Sequence, residues 1–163
     1  ALALARAERF EEALRRLAPH CIDGGSSAPH LTLRAHILFE RGDAAEAASA
    51  VARALELDAW SVDALLLQGR IARFHGDMEH AIGHFRQAIY HNPDCWPAHY
   101  HLAELYREGG ETELARREYR VVLRQLRDDT AVRVAGPWLL AVAIKDLRFL
   151  CETRLSRLNA AMG

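Results

Sequence analysis

Two of the nine histidines are spaced for metal binding. His80 and His84 are four residues apart, so both would lie on one face of a helix. A pair of imidazoles in this arrangement can hold zinc, and His75 is close in the sequence. The segment is predicted to be the second helix of a pair, on its outer surface, with no carboxylate at ligand spacing. We therefore interpret these residues as surface histidines, and expect no metal site and no cofactor.

Other catalytic chemistry has no support in the sequence. There is no phosphate-binding glycine loop, no GxSxG turn and no HExxH motif. Cys21, Cys95 and Cys151 are far apart and form no CxxC or zinc-finger pattern, which favours buried, reduced thiols. We predict that the chain is not an enzyme. A metal-dependent enzyme that uses His80 and His84 is the alternative.

The charge balance excludes a strong field that would attract nucleic acid or an acidic membrane. The 21 basic and 22 acidic residues leave a formal net charge of −1. No apolar run approaches the length of a membrane-spanning helix. We predict a cytoplasmic protein that binds neither nucleic acid nor membrane. Residues 116–127 carry five arginines, interpreted as the solvated face of a helix, with a patch for an acidic partner as the alternative.

The elements that carry these residues follow a period of 34 residues. Four columns keep the spacing: Gly42, Gly76 and Gly110; Ala47, Ala81 and Ala115; Val51, Phe85 and Tyr119; Ala54, Ala88 and Val122. The glycine would end the first helix of a pair in a left-handed conformation. The alanine would lie where the two helices cross, and the bulky residue four places on would fill the space beside it. Gly69, in one column with Ala35 and Ala103, predicts a second close approach.

The helices are predicted from the spacing of apolar residues between these regularly spaced columns and the turn glycines. Three pairs are expected, over residues 28–41 with 44–57, 62–75 with 78–91, and 96–109 with 112–126. A partial pair is expected in residues 1–22, with residues 10–22 as its second helix, followed by a loop at residues 23–29.

The repeats are thus predicted to occupy residues 1–127, followed by a linker and terminal helix in residues 128–163. The linker is expected near residues 128–136 and the amphipathic helix at about 138–160, where it would cap the last apolar face of the stack. A second apolar set on this helix is either wedged between surfaces or exposed to a partner: Leu139, Val142, Phe149 and Leu150.

The period, the four columns and the Asn92-Pro93 helix break resemble the tetratricopeptide repeat (TPR) family over nearly the whole chain. The resemblance implies an all-α fold, a right-handed TPR superhelix of about three and a half helix pairs with a C-terminal capping helix. The family's usual aromatic residue early in the first helix is replaced by Leu31, Leu65 and His99 here.

In that family, set positions of each first helix line a concave groove that binds another protein. The resemblance implies the following groove residues: Thr32, His36, Phe39, Glu40, Asp63, Leu66, Arg70, Arg73, Phe74, Tyr100, Glu104 and Arg107. Arginine and aromatic side chains together are typical of interface hot spots, and packing of Phe39 and Phe74 within the stack is the alternative. The family's carboxylate-binding subtype uses lysine and asparagine at set positions. Here those positions hold Thr32, His36, Leu67, Pro97 and His101, so that subtype is not expected.

Residues 88–126, with the linker and last helix, resemble the C-terminal TPR extension of bacterial CheR-type chemoreceptor methyltransferases, including the Frz-type enzyme of gliding bacteria. In that family an upstream domain transfers a methyl group from S-adenosylmethionine to receptor glutamates. The resemblance implies a non-catalytic module that regulates or targets such an enzyme, with the chemoreceptor or the methyltransferase domain of the same chain as its partner. Since the sequence starts without methionine, we expect a fragment of a longer polypeptide. A general bacterial TPR scaffold or adaptor in secretion or pilus assembly is the alternative.

Overall fold

A computed structural model describes residues 9–21, 26–127 and 144–160. Over these residues the chain forms α-helices, one short 3-10 helix at Ala18–His20, and no strand. The α-helices are α1 Phe10–Leu17, α2 Ala28–Arg41, α3 Ala44–Leu57, α4 Val62–Phe74, α5 Met78–His91, α6 Trp96–Glu108, α7 Thr112–Gln125 and α8 Ile144–Ala160. None of these helices is long and apolar enough to cross a membrane.

The predicted all-α arrangement of helix pairs is confirmed. α2 packs against α3, α4 against α5, and α6 against α7, and every end of these six helices lies within one residue of its predicted position. The chain divides into two compact units, Ala1–His91 and Asn92–Gly163. In the first unit α1 packs on α2, and α4 packs on both α2 and α3. In the second unit α8 packs on α7.

Two predicted boundaries near the start of the chain are wrong. The helix expected over residues 10–22 ends at Leu17 and gives way to a 3-10 turn that contains Pro19, because proline has no backbone N–H and its ring clashes with an α-helical carbonyl. The loop expected over residues 23–29 ends earlier, since α2 already begins at Ala28. Pro29 lies in the first turn of α2, where its missing N–H would have no helical partner. Residues 23–25 of that loop, and residue 22 of the expected helix, lie outside the described residues.

Each first helix of a pair ends in the same way. Gly42, Gly76 and Gly110 have φ angles of 100°, 80° and 78°, a region that side chains with a Cβ atom avoid. The next residue then donates a hydrogen bond back across the turn, as from Asp43 N to Leu38 O at 2.9 Å. Equivalent bonds follow α4 and α6. The glycine column therefore reverses the chain, as predicted.

The small residues lie at the helix crossings. The side chains of Ala47, Ala81 and Ala115 are fully buried. At the second predicted close approach, a Cβ atom built on Gly69 would lie 2.6 Å from Cε1 of Phe85. A real Cβ does not approach so closely, so glycine at 69 is what lets the phenyl ring of α5 reach the backbone of α4.

The terminal helix α8 packs on the last pair with one side. Leu147 and Cys151, one turn apart, are buried, whereas Phe149 is 71% exposed and Leu150 is partly exposed. The start of the predicted helix, including Leu139, Leu140 and Val142, lies outside the described residues, as do the linker at 128–136 and the first helix of the partial pair. Phe149 thus belongs to an exposed side of α8.

Candidate partner-binding surface

The best-defined candidate surface lies in the first unit, on α2 and α4, the first helices of two consecutive pairs. We call Phe39, Glu40, Arg70 and Phe74 the groove cluster. Nη2 of Arg70 donates a hydrogen bond to Oε1 of Glu40 at 2.7 Å. Cζ of Arg70 lies 5.0 Å from the centre of the Phe39 ring, within the range of a cation–π contact. The rings of Phe39 and Phe74 meet edge to face, with centroids 5.8 Å apart.

Phe74 is the exposed aromatic residue of the groove cluster. Its side chain is 66% exposed at the end of α4, whereas Phe39 is partly buried. The alternative in which Phe74 packs within the stack therefore does not hold. Phe74 contacts Phe39, and Phe39 contacts Arg70. These contacts restrain the three side chains in the absence of a partner. Such restraint lowers the conformational entropy that binding would otherwise cost.

Three predicted groove residues of the first unit have buried side chains: Thr32, His36 and Leu66. Oγ1 of Thr32 donates to the carbonyl of Ala28 at 2.8 Å, inside its own helix. Burial, and then the positive charge of Arg70, lower the pKa of His36 to about 4, so this imidazole is neutral at pH 7. These side chains are enclosed by the protein and do not offer a contact surface.

The remaining predicted residues of the first unit are accessible. Asp63, near the start of α4, is exposed, and Arg73 is partly exposed next to Phe74. Together with the groove cluster, they leave a mixed aromatic and charged surface on the accessible side of α2 and α4.

In the second unit, Glu104 ties helices together instead of lining an open surface. Its buried carboxylate accepts hydrogen bonds from Oη of Tyr119 and from Nη2 of Arg107, the latter at 3.0 Å. Nε of Arg154, on α8, lies 3.8 Å from the same carboxylate. Burial alone would raise the pKa of Glu104, but the two hydrogen bonds and the positive charges of Arg107 and Arg154 together outweigh it, and the pKa is lowered. Tyr100 and Arg107, the other predicted residues of α6, are partly exposed.

A buried polar contact between α6 and α7 was not predicted. Nδ1 of His99 lies 2.6 Å from Oε2 of Glu118, and Nε2 of His99 lies 3.1 Å from the carbonyl of Pro93. Both neighbours of the ring are oxygen acceptors, one on a side chain and one on the backbone. Burial would raise the pKa of Glu118, but hydrogen bonds from His99 and Arg117 lower it. His99 therefore replaces the family's usual aromatic residue with a polar bridge.

The arginine-rich segment 116–127 is partly neutralised by its own helix. Arg116 pairs with Glu113 at 2.7 Å, and Arg117 pairs with Glu118 at 2.8 Å. The three arginines further along are exposed: Arg120, Arg124 and Arg127. This arrangement agrees with the interpretation as a solvated helix face.

The histidines of α5 have a structural explanation. Asp77 precedes α5, and its carboxylate accepts hydrogen bonds from the backbone N–H of His80 at 3.2 Å and contacts Nδ1 of the same residue at 2.7 Å. The prediction that no carboxylate lies near these histidines was therefore wrong, because Asp77 caps the helix at this point. Within the part of the chain that the structure describes, no group of three or more potential ligands could hold a metal ion.

Solved structures with similar folds share little sequence with this chain. The Yersinia enterocolitica type III secretion chaperone SycD, in complex with a peptide of the translocator YopD, is 16% identical, with a TM-score of 0.68 over 83% of this chain and 94% of that one. MamA is 19% identical, with a TM-score of 0.67 over 97% and 91% of the two chains. The first TPR domain of Spaghetti (RPAP3), bound to the HSP90 peptide SRMEEVD, is 13% identical, with a TM-score of 0.64 over 83% and 93%.

Comparison of the sequence with known proteins identifies its family. No curated protein matches the chain. The sequence pattern of the tetratricopeptide repeat matches residues 32–90 and 66–130, which together are more than half of the chain. Domains of this kind are non-catalytic scaffolds for protein–protein interaction. The chain belongs to the tetratricopeptide repeat family.

Proposed function

We propose that the chain binds a segment of a partner protein through the groove cluster, using α2 and α4 as a rigid platform. The observation that carries the proposal is the 66% exposure of Phe74, together with its edge-to-face contact to Phe39. An exposed phenyl ring that is already held in place offers apolar area at small entropic cost. The adjacent arginine adds the second residue type that dominates interface energetics.

The groove cluster favours a partner segment with an apolar anchor. A side chain of that segment packs against Phe74 and the accessible edge of Phe39. The Arg70–Glu40 pair beside the rings supplies both a donor and an acceptor, which suits the N–H and C=O groups of a peptide backbone. A C-terminal carboxylate is not proposed as the anchor, because Thr32 and His36, at two positions of the carboxylate-binding subtype, are buried.

For the biological context we propose a module that regulates or targets a chemoreceptor glutamate methyltransferase in the cytoplasm. This rests on the sequence resemblance of residues 88–126. The partner is then the chemoreceptor or the methyltransferase domain, and the sequence upstream of Ala1 in the natural polypeptide tests it. A domain without a methyltransferase pattern at that place would contradict this context and leave the binding proposal intact.

The alternative context is a bacterial adaptor or chaperone in secretion. Its support is the similarity in fold to SycD, which was crystallised with a peptide of the translocator YopD and is covered over 94% of its length. A signal peptide or membrane helix upstream in the natural polypeptide would favour this alternative.

Site-specific photo-crosslinking tests the binding surface and the context together. A photoreactive phenylalanine analogue replaces Phe74 in one variant and Phe149 in a matched control, since both are exposed phenylalanines on helices. After irradiation in cells, mass spectrometry identifies the protein attached at each position. We expect one specific adduct at position 74 and none at position 149. Specific adducts at position 149 alone would place the binding surface on α8 and contradict the proposal.

A further inference from the structure

His80 and His84 lie one turn apart on α5, as their spacing predicted. The helix runs over Met78–His91, so residues four positions apart share a face. Both imidazoles border an open cleft of about 580 Å³ along this helix. Two histidines at this spacing on one helix face are a recurring way of holding zinc in proteins.

The carboxylate of Asp77 orients the imidazole of His80. Its Oδ2 lies 2.7 Å from Nδ1 of His80, and its Oδ1 accepts a hydrogen bond from the backbone N–H of the same residue. A histidine that donates its Nδ1–H to a carboxylate presents the lone pair of Nε2 outwards, and metal-ligating histidines usually have such a partner. A metal site was not expected here partly because no carboxylate lay at ligand spacing, and Asp77 supplies the orienting group.

The second imidazole also has one nitrogen available as a ligand. Nδ1 of His84 is enclosed by the protein and has no hydrogen-bond partner among the described residues, which leaves Nε2 as the nitrogen for a ligand. The side chain of Gln87, which hydrogen-bonds this ring, is exposed and is free to turn away. Both histidines can therefore direct Nε2 towards one ion.

The charges around the two imidazoles favour a cation. Asp77 and Glu79 are acidic, and both act on His80 through their negative charge. They offset the positive N-terminal end of the α5 dipole, which would otherwise disfavour a metal ion at this turn. Arg86, the only arginine or lysine of α5, also borders the cleft, and the two carboxylates outnumber it.

We propose that His80 and His84 hold one Zn²⁺ ion through their Nε2 atoms. Nowhere in the described part of the chain do three or more protein ligands gather, so this chain supplies two donors. Zinc prefers four tetrahedral ligands, and water fills the two remaining positions. These positions are open to a histidine or carboxylate of a partner protein. The site uses no residue of the groove cluster.

Calorimetric titration with zinc chloride, on the chain without a histidine tag, tests the proposal. We expect one Zn²⁺ per chain in the wild type. His80→Gln and His84→Gln each remove a donor, and Asp77→Asn removes the orienting carboxylate, so each variant should weaken binding by about tenfold or more. His75→Gln is the matched control, because this exposed histidine is near in sequence but outside the cleft, and it should bind zinc as the wild type does.

Nuclear magnetic resonance of the imidazole nitrogens identifies the donor atoms. Zinc should shift the Nε2 resonances of both His80 and His84, while Nδ1 of His80 keeps its proton towards Asp77. Because the side chain of His80 is 73% exposed, His80→Gln should leave the circular dichroism spectrum intact. A loss of binding in that variant then reports the missing ligand.

Three results would overturn the proposal. The absence of zinc binding by the wild type would show that the two histidines form no site. Binding that survives in both His80→Gln and His84→Gln would place the metal at other residues. Weaker binding in only one of these two variants would reduce the site to a single surface histidine.

Discussion

Gly69→Ala tests the helix crossing that aligns α4 and α5, the pair that carries both Arg70 and Phe74. Nothing polar changes in this substitution; one methyl group is added on a buried face. The new Cβ would lie 2.6, 2.8 and 2.9 Å from three carbons of the Phe85 ring, and Phe85 is fully buried. The ring or the helix must therefore move.

Two opposing effects set the magnitude. Overpacking of a close contact costs about 1–3 kcal/mol. Alanine in place of glycine inside a helix contributes about 0.8–1 kcal/mol in the other direction. The sum predicts that Gly69→Ala lowers the free energy of unfolding by about 0–2 kcal/mol.

Gly83→Ala is the matched control, because Gly83 lies in the neighbouring helix α5 and a Cβ there meets no atom within 4 Å. Only the helix propensity remains, so this variant should be more stable than the wild type by about 0.8–1 kcal/mol. Urea unfolding followed by circular dichroism at 222 nm measures both, and the difference between them isolates the packing term at about 1–3 kcal/mol. Equal stabilisation by the two substitutions would refute the close crossing at Gly69.

Three further predictions concern buried groups. In the folded chain the pKa of His36 is lowered from an ordinary 6.5 to about 4. The free energy of unfolding should therefore have its full value above pH 6.5 and fall by on the order of 3 kcal/mol towards pH 4. Urea titrations should show this fall in the wild type and not in His36→Gln. The lowered pKa of Glu104 predicts that this carboxylate stabilises the fold above its usual pKa of 4.5 and ceases to do so at lower pH. Glu104→Gln should therefore lower the free energy of unfolding by roughly 1–3 kcal/mol at pH 7 and make its fall with decreasing pH shallower. An unchanged urea midpoint would contradict the role of this carboxylate. Burial raises the pKa of Cys151 to about 12. Iodoacetamide at pH 8 should therefore alkylate this thiol far more slowly in the native chain than in urea. Equal alkylation rates, measured by peptide mass mapping, would contradict the buried position of Cys151.

The sequence predicted the helix pairs well because their ends depend on local chemistry. The left-handed glycine and the small residues at the crossing determine the structure of a single helix pair. Because these residues recur every 34 positions, the same pattern marks three successive pairs. At Pro19 the apolar pattern continues, but the proline has no backbone N–H and the helix ends before it.

The candidate surface was predicted less completely. The groove positions of the family predict which face of each first helix lines the groove. Whether a given side chain on that face is exposed depends on its neighbours, which differ from repeat to repeat. His36 and Leu66 are buried, whereas Phe74 is exposed. Glu104 could have been suspected of an internal role from the tyrosine and arginines of α7 and α8, yet only the fold brings Tyr119 and Arg154 to its carboxylate. The contact between Glu118 and His99 has the same origin, since 19 residues separate the two in sequence.

We propose that a partner protein binds the groove cluster. Isothermal titration calorimetry with the partner segment identified by crosslinking at position 74 tests it most directly, using the wild type, Arg70→Glu, Phe74→Ala and the control Phe149→Ala. We predict that each of the two groove variants weakens binding by about 1–3 kcal/mol, roughly 5- to 150-fold in Kd, while the control binds as the wild type does. Binding within twofold of the wild type for both groove variants, with helical content intact, would contradict the claim.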